Sequence, residues 1–74
     1  MTEQDQRSKL EDLRIEAGLS VTELSILARV SRDVITRCEA GQAIRGNIAG
    51  KICQALSIKL NRHIDYRTAE IRIV

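Results

Sequence analysis

The chain predicts an all-α fold, a compact bundle of about five short helices, and three observations carry that prediction. Apolar residues recur at helical spacing in successive short segments. The stretch SVTELSILARVSRDVITRCEAG reads as two short helices joined by a tight turn. The chain is 43% hydrophobic, yet Tyr66 is its single aromatic residue and proline is absent, so the core must be aliphatic, which suits packed helices.

The first helix is expected from about Glu3 to Ala17, with Thr2 as its cap, Leu10, Leu13 and Ala17 on one face, and Gly18 closing it. Ser20 and Glu23 form an S-x-x-E capping box that starts the second helix, about 21 to 28. Leu24, Leu27 and Ala28 make its apolar stripe. Ser31 caps the third helix, about 32 to 40, with Val34, Ile35 and Cys38 on the inner side and Gly41 at its end. About three residues separate these two helices, so they cross steeply in a helix-turn-helix, a motif whose second helix commonly enters the DNA major groove. After the loop GQAIRG, Asn47 is expected to cap a fourth helix, about 48 to 57, with Ile48, Ile52, Ala55 and Leu56 facing inward. A short fifth helix is expected near Asn61 to Ile64. In the tail the period changes to alternation, and Ile71 to Val74 favour a β-strand. A lone strand needs a partner, and the same tail of a second chain is the expected one, through Tyr66, Ile71 and Ile73. The chain thus divides into a helix-turn-helix domain over 1–65 and a dimerisation tail over 66–74.

Seventy-four residues make one domain near the lower size limit for folding alone. No apolar run approaches the roughly 20 residues needed to span a membrane. MTEQDQRSK lacks the apolar stretch of a signal peptide, so a cytoplasmic location is expected. The net charge of +2 says little, but its distribution is uneven. Residues 1–16 are net acidic. Residues 42–74 carry Arg45, Lys51, Lys59, Arg62, Arg67 and Arg72 against Asp65 and Glu70, which suits an anionic partner. Cys38 and Cys53 lack metal-ligand spacing and sit at core positions, as small buried hydrophobes. His63 is the only histidine. No phosphate loop, nucleophile elbow or carboxylate pair is present, so neither an enzyme nor a metal or cofactor site is expected.

The run LRIEAGLSVTELSILARVSRDVITRCEAG, followed by IAGKICQAL, resembles the Cro/C1-type (XRE) family of phage repressors and bacterial regulators. The resemblance covers Leu10 to Leu56. It implies a lambda-repressor-like bundle and sequence-specific binding to double-stranded DNA, often as a homodimer. It also implies a structural ion pair between Arg14 and Glu39, tying the first helix to the end of the recognition helix. The sequence departs from the family pattern in places. Arg29 stands where glycine is usual at the inter-helix turn, and must accept a left-handed backbone at a cost of about 1–2 kcal/mol. Ser25 stands where alanine is frequent. Val21 replaces a polar phosphate-touching residue, leaving backbone N–H groups for that contact. The proline frequent after the third helix is missing.

On the third helix, Arg32, Asp33, Thr36 and Arg37 face outward as candidate base contacts. The guanidinium forks of Arg32 and Arg37 match guanine O6 and N7. Asp33 can accept from a cytosine amino group or orient a neighbouring arginine, and Thr36 can touch a thymine methyl or a phosphate. Ser20, Val21, Ser31, Gln42, Arg45, Asn47 and Lys51 are candidate phosphate contacts, which hold register without reading sequence. The reading that follows is a transcriptional regulator, a repressor. The alternative is a protein-interaction adaptor or antitoxin-like module. It rests on Ile15, Ile26, Leu27 and Val34, which are apolar where the family is usually polar and would form an exposed patch.

Overall fold

Three helix starts in this chain are set by serine side chains. The computed structural model describes residues 7–74 and contains, within them, four α-helices and no strand: α1 Lys9–Glu16, α2 Val21–Ala28, α3 Arg32–Glu39 and α4 Gly46–Leu60. The class is all-α, with one helix fewer than expected. The Thr2 cap and the expected start at Glu3 lie outside the described residues. Ser8 is extended and its side chain accepts from the Glu11 N–H at 3.1 Å, so α1 begins only at Lys9. Ser20 closes a full capping box: the Glu23 N–H donates to Ser20 Oγ at 3.0 Å and the Ser20 N–H donates to Glu23 Oε1 at 2.8 Å. Ser31 caps α3 by accepting from the Val34 N–H at 3.2 Å.

At the turn between α2 and α3, Arg29 adopts φ 60° and ψ 45°, left-handed backbone that L side chains resist. Its side chain is exposed. Arg29→Gly relieves that strain, while glycine's extra freedom in the unfolded chain offsets part of the gain. The variant is expected to gain about 1 kcal/mol in a urea denaturation series; a loss would show that the arginine side chain contributes more than the strain costs.

The core forms where α2 packs against both α3 and α4, with α1 packed across α3 and α4. Leu10 and Leu13 from α1, Leu24 and Ala28 from α2, Ile35 and Cys38 from α3, and Ala49, Ile52, Cys53, Ala55 and Leu56 from α4 are buried together. Leu27 does not join its expected stripe and is 52% exposed, because the third inward position of α2 is taken by Ser25. That buried hydroxyl is satisfied by donating to the Thr22 carbonyl at 2.7 Å.

Helix α4 is longer at both ends than its apolar stripe suggests. Arg45 is its N-cap, without a side-chain bond, so Asn47 lies inside the first turn and is not a cap. Asn61 adopts left-handed backbone (φ 57°) and ends α4, so it stops a helix where one was expected to begin. The fifth helix does not form. The Ile64 N–H donates instead to Ser57 Oγ at 2.8 Å, which holds 62–65 against α4.

The tail folds back onto its own chain. Asp65 Oδ1 accepts from the Thr68 N–H at 2.9 Å and initiates a turn that Glu70 closes at φ 55°. Ala69 and Ile71 enter the core. The expected strand reduces to one parallel bridge between Ile73 and Ile44: the Ile44 N–H donates to the Arg72 carbonyl and the Val74 N–H to the Ile44 carbonyl, both at 2.9 Å. The strand fails because the turn consumes 66–70 and only a short extended piece remains.

Candidate nucleic-acid interface

Helix α3 is held by its two ends and buries one side. Ile35 and Cys38 anchor it in the core, and Arg32, Asp33, Thr36 and Arg37 are exposed on the opposite side. At its C-terminal end Arg14 Nε donates to Glu39 Oε2 at 2.7 Å and Arg14 Nη2 to Glu39 Oε1 at 3.3 Å, a two-pronged contact. Arg14 Nη1 also donates to the Leu19 carbonyl at 2.9 Å. The two side chains are only 13% and 11% exposed, and the Glu39 hydrogen bond holds the Arg14 guanidinium above its ordinary pKa. One guanidinium therefore connects α1, the α1–α2 loop and the end of α3.

The exposed ridge is internally organised. Asp33 Oδ2 lies 3.2 Å from Arg37 Nε, one turn away on the same face. Arg32 Nη1 donates to Thr22 Oγ1 at 3.4 Å, a weak tether across to α2. Both arginines keep donor groups free of these contacts to offer outward. Thr22 was not a candidate from sequence. Its position one residue inside the capping box, three residues before buried Ser25, places it on the α3-facing edge of α2, and that periodicity is the signal that could have found it.

Arg32, Asp33 and Thr36 line one open groove of about 540 Å³ together with Val21, Thr22 and Ser31. Arg37 and Arg45 line a neighbouring one of about 300 Å³ with Val34, Ile44, Ile48 and Val74. The structure thus brings the four base-contact candidates, Val21, Ser31 and Arg45 onto adjoining surface. Ser20 and Ser31 both accept backbone N–H groups through Oγ, which leaves each hydroxyl proton free to donate to a phosphate oxygen. Gln42 and Asn47 are exposed beside this surface in sequence but line neither groove. Lys51 is not brought to it: it lies with Leu27, Arg29 and Ile58 in a cleft between α2 and α4. Val34, named among the residues of an exposed patch, is half-buried against the core, whereas Ile15, Ile26 and Leu27 are exposed.

Cys38 and Cys53 are buried free thiols, and burial pushes both pKa values up, that of Cys53 to about 11. Neither is a poised nucleophile. No helix among the described residues is long and apolar enough to cross a membrane.

Two capped helices joined through a left-handed turn, the second presenting an arginine-bearing ridge on its outer side, define a helix-turn-helix module. A family model described as a helix-turn-helix domain matches residues 8–58, and the chain belongs to that family, a class of DNA-binding regulators. No curated protein and no solved structure matches the chain.

Proposed function

We propose that the chain is a sequence-specific DNA-binding transcriptional regulator, a repressor that works as a homodimer and reads the major groove with α3. The observation that carries this is the uncovered ridge of Arg32, Asp33, Thr36 and Arg37 on a helix fixed by the Ser31 cap and the Arg14–Glu39 pair. Arginine forks suit guanine edges, and a rigid helix lets two of them act in register. The N-termini of α2 and α3, with Ser20, Ser31 and Arg45, provide phosphate contacts on either side of the ridge. Two copies are needed to read two half-sites about one helical turn apart. In the tail, the N–H of Ile73 faces away from the Ile44 bridge and is free to pair, beside exposed Tyr66 and Ile73.

Selection of bound sites from random duplex DNA tests the reading. A two-fold-symmetric motif with half-sites one turn apart is the expected result, and a pool that stays random after selection refutes sequence-specific binding. Arg45→Ala is expected to weaken binding to every duplex alike and to reduce the slope of log K against log salt by about 1. A sequence-dependent loss would instead make Arg45 a base reader.

A second reading, a protein-interaction adaptor, is favoured by one observation: Ile26 and Leu27 on α2 are 69% and 52% exposed, and Leu27 lines the cleft with Arg29, Lys51 and Ile58 rather than the α3 ridge. It predicts partner binding that Leu27→Asp abolishes and that salt leaves unchanged.

A further inference from the structure

Two arginines on neighbouring backbone segments are left without a counter-charge. Arg14, Arg37 and Arg62 each face a carboxylate of the domain, and Arg67 lies over the Tyr66 ring. Arg45 and Arg72 are exposed, and among the described residues their guanidinium groups meet no hydrogen-bond or ion-pair partner. The bridge between Ile44 and Ile73 sets these two on one surface. The Arg72 carbonyl accepts from the Ile44 N–H at 2.9 Å, so the backbone of Arg72 is fixed against the loop that leads into α4. Side chains alternate along extended backbone. With Ile73 opposite Ile44 in a parallel pair, Arg72 and Val74 project on the same face as Ala43 and Arg45. The surroundings agree. Ala43, Arg45 and Val74 border the groove that Arg37 lines, whereas Ile73 turns to a different groove, over Gly46.

We propose that the tail is part of the nucleic-acid interface and that Arg72 contacts a backbone phosphate of the duplex beside Arg45. This rests on the DNA-binding reading above and adds an element to its surface. Arg37, Arg45 and Arg72 put three positive charges on one face, and Asp33, bonded to Arg37, is the carboxylate among them. Like charges on paired backbone segments are unfavourable in the free domain, and an anion bound between them removes that penalty. The duplex that Arg37 reads supplies the anion. Arg72 stands on the loop-and-tail pair beside α3, not on the helix that enters the groove, so it meets the phosphate wall and not a base edge. The tail divides its residues accordingly. Ala69 and Ile71 complete the core, the bridge at Ile73 holds the segment in place, and Arg72 faces outward with its donors uncommitted.

Fluorescence anisotropy of the full chain on its selected duplex and on an unrelated one, across roughly a tenfold range of salt, tests this. Arg72→Ala is expected to reduce the slope of log K against log salt by about 1 on both duplexes, so its deficit in affinity shrinks about eightfold across that range. Arg72→Lys keeps the charge and is expected to keep the slope. Arg67→Ala removes the same charge from the turn of the same tail, off the bridge, and is expected to leave the slope unchanged. Arg72→Ala is expected to melt at the temperature of the unaltered chain, because its side chain has no partner to lose. An unchanged slope for Arg72→Ala, an equal drop for Arg67→Ala, or a deficit on the selected duplex alone overturns the phosphate contact while the DNA-binding reading stands. A chain that binds no duplex at any salt overturns both.

Discussion

Replacing Arg37 with alanine is expected to weaken binding to a selected duplex by about 1–3 kcal/mol, roughly 5- to 150-fold, while changing binding to unrelated duplexes far less. Arg37 is not a free surface arginine. Asp33 sits one turn away at 3.2 Å and restrains the guanidinium along the helix face. An arginine that is already oriented loses less rotamer freedom on meeting a base edge, so more of its hydrogen-bond energy appears as discrimination. The same logic ranks Asp33→Asn. The amide retains the shape and loses the charge, so specificity at the base read by Arg37 is expected to relax while affinity changes less, because a carboxylate near phosphates is also removed. A competition titration with the selected duplex and with duplexes altered one base pair at a time measures both. Equal losses on all of them would reduce Arg37 to a phosphate contact.

The largest effect on stability is expected at Glu39. Glu39→Ala leaves Arg14 with its bond to the Leu19 carbonyl but strips both prongs from a guanidinium that is only 13% exposed. Breaking a fully buried pair by removing one partner costs about 3–5 kcal/mol. A tenth of each side chain still meets water, so about 2–3 kcal/mol is the expected loss in a urea series. Glu39→Gln keeps an acceptor for one prong and is expected to lose about half as much. Equal losses would mean that the charge, rather than the acceptor geometry, carries the contact. Because the pair braces the far end of α3, Glu39→Ala is also expected to loosen DNA specificity at temperatures where the domain is still folded.

The parts of the fold that were legible in the sequence are those fixed by local chemistry. Ser20 with Glu23, and Ser31 before Val34, place the starts of α2 and α3 because capping acts over three residues. Arg29 was readable as a left-handed residue because it stands where the resembled family usually has glycine. The same S-x-x-E signature at Ser8 and Glu11 marks the true start of α1. It was obscured by acidic residues further upstream that suit a helix N-terminus equally well. Asn61 shows the ambiguity of a single residue type: asparagine starts helices by capping and ends them in the left-handed region, and only the packing of Ile64 against α4 chooses between these. The tail was misread because alternation is a local signal, while its fate is set by Ile44, far away in sequence, and by core space for Ala69 and Ile71. For the site, helical periodicity identified the outward α3 residues. It could not reveal that Lys51 turns toward Leu27 and Ile58, because that depends on how α4 rotates against α2.

The bridge between Ile44 and Ile73 has a practical corollary for anyone handling the molecule. Val74 borders the same shallow recess as Arg37 and Arg45, and its amide is already committed to Ile44. Any polypeptide fused after Val74, such as an affinity handle or a fluorescent reporter, would emerge beside those two arginines and strain the segment that positions Arg45.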